Sequence, residues 1–587
     1  MVLLSLPVKK KRAENFVKAR KALLNTPLGM LSGIDKNNKQ LERIMRSHKR
    51  SIGPISLLYT AIGSIIGSGW LFGSWQAAQL SGPAAILAWI IGAVVMIAIA
   101  LTYTEMGVMF PDSGGMVRYP QYSHGSLVGF IGAWSIWLAL VAVVPIEAVA
   151  SVQYLASWPY PWAQRLITDG TLNIYGLLVC CLLIVVYFGL NFWGVKLFVR
   201  ASNAITIFKL VVPALTAVAL LASGYHADNF GLSSIDEFAP NGWQAVLTTV
   251  AVSGIVFSYN GFQAPISMAG EAKNPTWSIP FALIGSLLIT MVIYVLLQIA
   301  FIGALDPALI AKGWSNIQFS SPMAQLALAV NLNWLAILLY IDAFVSPSGS
   351  AVIYKAATAR MLYAMERNGS MPKAFGVLHP VFQVPRLAMW FNLGLCFIFL
   401  FWFKGWGALA GVVSVAVSIG YLIGPVSAMS LRRTAPEVKR SVRIAGLSVI
   451  APFAFVSAAL ILYWARWPLS GQIIFLIIAG LPIYFYYQKK NNPNSISRDV
   501  RAAVWLVAYL PVAAIISYIG SPSFGGIGIL SDGWDMLVVA VIALLFFKWG
   551  VNSGYRTPYL VDRIAAGSEA DSETGDEPES LPNVSHV

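Results

Sequence analysis

Cysteine, histidine and charged residues are all scarce in this chain. It has three cysteines and five histidines among 587 residues, and only 11% of the residues are charged. Cys180 and Cys181 are adjacent and Cys396 is remote, so the spacing predicts neither a disulfide framework nor a metal site. No nucleophile and base stand together, and no glycine pattern continues into a phosphate-binding loop. We therefore expect neither an enzyme nor a cofactor.

Apolar residues are abundant instead. They make up 57% of the chain, and the mean hydropathy is +0.70. This composition is typical of a polytopic helical membrane protein, which predicts an all-α fold in a lipid bilayer. The net charge of +14 would suggest nucleic acid in a soluble protein. Here the basic residues lie between apolar runs, where they set membrane topology, so no nucleic-acid partner is expected.

The apolar runs predict about fourteen spans, because each is close to the roughly 20 residues that a helix needs to cross a bilayer. They lie near residues 53–76, 83–110, 126–156, 173–190, 198–223, 243–267, 279–304, 323–353, 387–403, 406–429, 446–465, 470–487, 502–520 and 534–549.

Charges at the two ends and in the loops predict the topology. Residues 1–50 form a basic arm, and residues 550–587 form an acidic tail that is expected to be disordered. Basic clusters occupy alternate loops, such as the cluster from Lys355 to Arg386, while the other loops are nearly free of positive charge. An even number of spans with both termini in the cytoplasm satisfies the positive-inside rule.

Two of the runs carry helix-weakening residues in the middle. The first contains Gly63, Ser64 and the triplet Gly67 to Gly69, and the sixth contains the polar string from Ser258 to Gly261. Broken helices leave bare main-chain groups that must line a cavity or bind a ligand. A pair at matching positions of two halves predicts inverted repeats, here 51–223 and 243–430, followed by additional spans over 446–549. The alternative is that these glycines only allow close helix packing.

Four ordered motifs resemble the amino acid-polyamine-organocation (APC) superfamily. They are the triplet Gly67-Ser68-Gly69, TYTEMGVMFPDSGGMVRY at 102–119, FSYNGFQ at 257–263 with GEAKNP at 270–275, and ARMLYAMERNGSMP at 359–372. The likeness covers about residues 50–430, and within the superfamily it is similar to bacterial proton-coupled amino acid permeases, including aspartate/proton symporters. The resemblance implies the 5+5 inverted-repeat fold, LeuT-like with helices 1 and 6 broken, in a bacterial inner membrane.

The resemblance also implies how a substrate is held. The main chain and hydroxyl of Gly67, Ser68 and Gly69 would bind the α-carboxylate of an amino acid. The carbonyls of Ile65, Phe257 and Asn260 would receive its α-ammonium, and Ser258 lies in the same break. Amides at a half-helix N-terminus favour an anion and unpaired carbonyls favour a cation, so a zwitterion suits both ends. One departure is Gln263, where members of the superfamily often carry an acidic residue.

Three ionisable residues lie well inside apolar runs, away from the run ends, where each is costly and is therefore a functional candidate. Lys209 is predicted to couple transport to protons, since burial favours the neutral form of an amine. The resemblance places such a lysine between the first and eighth spans. The alternative is a lysine that snorkels or only joins helices. Glu147 and Asp342 are open to three roles: pairing with Lys209, shuttling a proton, or facing a substrate side chain. Ser346, Ser348 and Ser350 are candidates for hydroxyls near the lysine.

Aromatic residues divide into two predicted groups. Tyr259 and Phe262, beside the sixth-span break, are candidates for covering a bound solute, with plain packing as the alternative. Tryptophans at span ends are expected to form an interfacial belt. They are Trp158, Trp162, Trp402, Trp406 and Trp467.

These patterns favour a secondary transporter that imports a small amino acid together with protons by alternating access. The alternatives are an amino acid exchanger on the same fold and a channel or membrane sensor. Counterflow without a pH gradient would favour the exchanger, and large currents would favour the channel. An acidic, neutral or cationic substrate is compatible with the residues, and no pattern indicates an oligomeric state.

Overall fold

The computed structural model describes residues 52–565 except 113, 169, 194–195, 381, 383 and 492–495, together with the backbone but not the side chains of 196–203. The predicted basic arm at 1–50 and the tail beyond residue 565 lie outside the described residues.

Helices make up most of the described chain. The longer ones are α1 (Pro54–Ile65), α2 (Gly69–Ser81), α3 (Ala85–Met109), α4 (Gly115–His124), α5 (Ser126–Ala156), α6 (Ile174–Phe192), α7 (Lys196–Ser223), α8 (Gly242–Val252), α9 (Ile255–Tyr259), α10 (Pro275–Ala304), α11 (Pro322–Ala329), α12 (Asn333–Arg367), α13 (Arg386–Trp402), α14 (Trp406–Thr434), α15 (Leu447–Trp464), α16 (Leu469–Ile478), α17 (Leu481–Asn491), α18 (Ile496–Ile519) and α19 (Trp534–Ser553).

Short elements occupy the connections. Four single-turn helices lie at Pro161–Gln164, Ile235–Phe238, Ala264–Ser267 and Pro307–Ile310. A small antiparallel hairpin pairs Ile167–Thr168 with Thr171–Leu172, with Ile167 opposite Leu172. In the described part of the chain, 11 helical stretches are long and apolar enough to cross a membrane, one of which joins α2 to α3. The helices α1 and α13 are apolar but shorter.

Each of the fourteen predicted runs contains one or more helices, so the predicted all-α polytopic fold is confirmed. The third and tenth spans, α5 and α14, are apolar on every side and are buried across their most apolar stretches. They form the centre of the bundle, and α12 and α15 pack against them.

The eighth span was predicted with the wrong bounds. The expected run of 323–353 is divided at Asn331, whose φ of 61° ends α11, and the following helix α12 continues to Arg367. No glycine or proline between residues 351 and 367 stops that helix. Lys355, predicted in a cytoplasmic loop, is therefore a helical residue, fully buried, with its Nζ 3.6 Å from Cys396 Sγ.

The predicted tail begins later than residue 550. The helix α19 continues to Ser553, and the next residues pack against the bundle. The Tyr555 N–H donates to Ser123 O at 3.1 Å, and Arg563 Nε donates to Asp112 Oδ2 at 2.8 Å. Thr557 is fully buried. Charge pattern alone did not reveal these contacts, because each partner lies more than 400 residues away in the sequence.

Both predicted breaks are present. Between α1 and α2, Ile66 has extended backbone angles, and α2 restarts at Gly69. In the sixth span, α8 ends before Gly254, which has φ 87°, and the single turn α9 is followed by extended Asn260 and by Gly261 with φ 117°. A side chain at Gly261 would lie 2.7 Å from the carbonyl oxygen of Ser64. Glycine is required there because its positive φ and close approach leave no room for a Cβ.

Candidate substrate site at the two broken helices

The first break presents its main chain to two distant side chains. The Ser68 N–H donates to Glu147 Oε2 at 2.9 Å, and Ser68 Oγ accepts from Trp406 Nε1 at 2.8 Å. All three residues are buried. The amide that was predicted to hold a substrate carboxylate is thus bound to a carboxylate of the protein itself. This arrangement shows that the half-helix N-terminus can hold such a group.

Gly67 and Gly69 permit this close approach. A methyl group at Gly67 would lie 3.1 Å from Ser350 Oγ and would collide with the carboxylate of Glu147. A methyl group at Gly69 would lie 3.1 Å from the Cα of Ser258, in the opposite break. The two breaks therefore meet at this triplet, and any larger residue would force them apart.

Lys209 joins three spans at the first break. Its Nζ donates to Gly63 O at 3.1 Å and to Ser350 Oγ at 2.7 Å, and the side chain is only 1% exposed. The neighbouring carbonyl of Ser64 accepts from Tyr354 OH at 2.8 Å. The predicted place of Lys209, between the first and eighth spans, agrees with these contacts. Ile65 is the buried last residue of α1, directly beside them.

The two intramembrane carboxylates occupy different places. Glu147 lies on the Ser68 amide, while Asp342 Oδ1 accepts from Ser346 Oγ at 2.5 Å, one turn along α12. The Asp342 carboxylate also lies beside the Trp70 side chain. Among the ion pairs of the described chain, none joins Lys209 to either carboxylate. The Ser348 hydroxyl lies 3.0 Å from Tyr187 OH.

The second break contains a network of amide side chains. The Gly261 N–H donates to Gln263 Oε1 at 3.1 Å, and Gln263 Nε2 donates to Asn260 Oδ1 at 2.9 Å. The same Asn260 oxygen accepts from Tyr421 OH at 3.1 Å. Asn260 Nδ2 and Ser258 Oγ are buried and have no partner within the described chain.

Tyr259 and Phe262 were predicted to cover a bound solute, and only part of this pair lies at the breaks. The Tyr259 ring packs against Trp89 and Tyr294, with centroids 5.8 and 5.4 Å away, and its hydroxyl donates to Trp89 O. Its side chain is therefore placed between the second and seventh spans. Phe262 lies against Tyr421 with centroids 5.7 Å apart.

Trp406 is a site residue that the sequence did not reveal. It was assigned to an interfacial belt, but it is 1% exposed and its indole N–H reaches Ser68. Its ring stacks on Phe72 at 5.2 Å and meets Phe257 at 5.7 Å. A tryptophan at a span end is typical of an interfacial belt as well as of a binding site. Only the contact with Ser68, 338 residues away in the sequence, distinguishes the two.

Across the described residues, no group of three or more histidine, cysteine, aspartate or glutamate side chains could hold a metal ion. What the two breaks offer is a pair of buried helix ends, an ammonium, two carboxylates and buried polar atoms without partners among the described residues. Such an arrangement can bind and release a small polar solute and move protons.

Comparison with known proteins agrees with this geometry. The amino acid permease family model matches residues 52–483. The chain is 56% identical over 528 residues to the glutamate/serine transporter AimA of Bacillus subtilis (strain 168), covering 89% of this chain and 98% of the relative. It is 34% identical to the aspartate-proton symporter of the same organism, covering 86% and 97%.

A more distant relative is the serine/threonine exchanger SteT of the same organism, which is 25% identical over 75% of this chain and 98% of its own length. The reported relatives are transporters by name, which agrees with the prediction that this protein is not an enzyme. The family match, the apolar helices and the two facing breaks lead to one conclusion: this chain is a multi-pass membrane protein that belongs to the amino acid permease family of the APC superfamily.

Proposed function

We propose that this protein imports an amino acid together with protons by alternating access, with both termini in the cytoplasm. The observation that carries the proposal is the position of Lys209, whose ammonium holds Gly63 O on the first span and Ser350 Oγ on the eighth. A charged donor makes stronger hydrogen bonds than a neutral amine. Loss of its proton would therefore loosen the contact between these spans and favour a different arrangement of them.

Glu147 connects that proton to the substrate. Its carboxylate lies on the Ser68 amide, where a substrate carboxylate would have to bind, so the two anions compete for one donor. Protonation of Glu147 would weaken its hold on the amide and remove the repulsion between the anions. Substrate and proton would then enter together, as symport requires.

The repeats at 51–223 and 243–430 would supply the two moving halves, with the substrate held between their breaks. The α-carboxylate would bind at Gly67 to Gly69, and the α-ammonium would bind the carbonyls of Ile65, Phe257 and Asn260. Glutamate and serine are the proposed substrates, because the relative at 56% identity carries both in its name. The symporter at 34% identity supports the coupling to protons.

The experiment uses purified full-length protein in proteoliposomes. A pH gradient, acidic outside, should drive accumulation of radiolabelled glutamate or serine by the wild type. Lys209→Met should reduce gradient-driven accumulation by at least about 100-fold, the effect of losing a charge-assisted contact of about 3 kcal/mol. The matched control is Lys404→Met, which removes an exposed lysine and should leave accumulation unchanged.

Three results would contradict the proposal. Accumulation by Lys209→Met at the wild-type level would remove the role of this lysine. Counterflow that proceeds equally with and without a pH gradient, together with no net uptake in the wild type, would show an exchanger. Currents far above carrier turnover would show a channel.

A further inference from the structure

The orientation of the Asn260 side chain is fixed by its neighbours. A backbone N–H can only donate, so the Gln263 atom that faces Gly261 N at 3.1 Å must be its oxygen. The Gln263 atom that faces Asn260 at 2.9 Å is then the NH₂ group, which also only donates. Asn260 must therefore present its Oδ1 to Gln263, and Tyr421 OH donates to the same atom.

This orientation leaves the other half of the amide free. Asn260 Nδ2 has no partner among the described residues although the residue is only 2% exposed, and Ser258 Oγ is in the same situation at 1%. Buried donors are nearly always paired, so unpaired ones require an explanation. Both atoms lie in the sixth-span break, beside the carbonyls proposed to bind the substrate ammonium. A ligand that enters the break would supply the missing acceptor.

We propose that Asn260 Nδ2 recognises an oxygen atom on the substrate side chain, and that Gln263 is the positioning residue that turns this donor toward the substrate. The inference rests on the proposed amino acid transport and specifies its substrate class. An amide NH₂ group accepts no hydrogen bond, so it disfavours ammonium and guanidinium side chains and gains nothing from apolar ones. Because it is neutral, it suits both a hydroxyl and a carboxylate oxygen.

The role of Gln263 follows from what Gln263→Glu would change. The new carboxylate would still accept from the Gly261 N–H, but it could not donate to Asn260 Oδ1. Asn260 would gain by turning its NH₂ group toward the carboxylate, and Tyr421 OH can accept as well as donate. The Asn260 oxygen would then face the substrate. An oxygen on the substrate side chain would meet an acceptor where it had met a donor.

The test compares serine with alanine, which differ by one hydroxyl group. In proteoliposomes, kcat/KM of the wild type should favour serine by about tenfold, the effect of one net hydrogen bond. In Gln263→Glu this ratio should fall to about one or below. The affinity of glutamate as a competing substrate should fall by at least the same factor. Gln164→Glu adds the same charge in an exposed connection and should keep the wild-type ratio.

Asn260→Asp tests the donor directly, because it replaces Nδ2 by an oxygen of equal size, and it remains informative if Gln263→Glu does not reach the membrane. Its serine-to-alanine ratio should fall in the same way, and glutamate uptake should fall most. A wild-type ratio in either variant that still transports alanine would overturn this inference and leave the proposed transport intact. A wild type that prefers alanine would also overturn it. A wild type that moves no amino acid would overturn both.

Discussion

Two buried polar clusters of this protein differ in how completely their atoms are paired. At the junction with the last four spans, the Asp499 cluster consists of Ser126, Tyr484, Asp499 and Tyr555. Asp499 accepts from the Ser126 N–H at 3.2 Å, from the Ser126 hydroxyl, and from Tyr555 OH at 2.6 Å. At the sixth-span break, by contrast, Asn260 and Ser258 each keep a buried atom without a partner in the described chain.

Buried polar atoms that are fully paired stabilise the fold, whereas buried polar atoms without partners indicate a binding site. A carboxylate with several donors repays its desolvation within the folded protein, so the Asp499 cluster joins α18 to the N-terminus of α5. Unpaired buried atoms cost stability in the empty state and gain partners only when something binds. The same comparison predicts that substitutions at the breaks will change transport, and that substitutions in the Asp499 cluster will change stability.

The largest effect is expected for Glu147→Gln, which tests the break side of the comparison. Glutamine keeps an oxygen for the Ser68 N–H but cannot carry the negative charge or take up a proton. Accumulation driven by a pH gradient should fall about 100-fold, equivalent to about 3 kcal/mol, while counterflow of substrate persists. Radiolabelled uptake in proteoliposomes at several pH values measures both. Retained accumulation with an unchanged pH profile would show that Glu147 only caps the half-helix.

Asp499→Asn is expected to lower stability and to leave transport nearly unchanged. Loss of the charged acceptor weakens three hydrogen bonds, so the free energy of unfolding should fall by about 2–3 kcal/mol. The kcat/KM of the folded protein should remain within about twofold of the wild type. Thermal unfolding in detergent and uptake in proteoliposomes measure the two quantities. The control is Asp306→Asn, an exposed N-cap whose carboxylate accepts from the Ala308 N–H, where asparagine caps almost as well.

The buried His124 is expected to make the stability of the protein depend on pH. It lies at the end of α4, in the connection between the second and third spans, and its Nε2 is 2.8 Å from Gly550 O. Burial lowers the pKa of His124 to about 4. The unfolded chain, with a histidine pKa of about 6.5, binds more protons between these two values, so stability falls as the pH falls through this window. The loss from pH 7 to pH 5 should be about 2 kcal/mol.

His124→Gln should remove that contribution while keeping an N–H for the carbonyl of Gly550. Thermal unfolding of the variant should be less sensitive to acid than that of the wild type by about the same 2 kcal/mol. His226→Gln changes an exposed histidine and serves as the control. An equal acid sensitivity in wild type and His124→Gln would assign the loss to other groups.

The sequence predicted those features that depend on local composition. Runs of apolar residues predicted the all-α polytopic fold, and glycine and polar residues inside two of them predicted both breaks. A lone lysine inside an apolar run was sufficient to mark Lys209 as a candidate. Each of these signals lies within about 20 residues, which is the length over which hydropathy and helix propensity act.

The features that were missed depend on distant partners. Glu147 lies 79 residues from Ser68, and Trp406 lies 338 residues from it, so no local pattern shows that both reach the same residue. Lys355 was assigned to a loop because its charge outweighed the helix propensity of the residues around it. The proposed role of Gln263 depends on which way an amide is turned, and only a hydrogen-bond network determines that.

Trp406→Phe is expected to have the smallest effect and tests whether a span-end tryptophan belongs to the site. Phenylalanine keeps the ring contacts with Phe72 and Phe257 but loses the N–H that donates to Ser68 Oγ. One net hydrogen bond is worth about 0.5–1.5 kcal/mol, so KM for the substrate should rise about threefold to tenfold with stability nearly unchanged. Trp402→Phe is the matched control, since Trp402 is 63% exposed at the end of the preceding helix. Equal KM values in the two variants would show that the hydrogen bond from Trp406 to Ser68 is structural, because its loss would leave substrate binding unchanged.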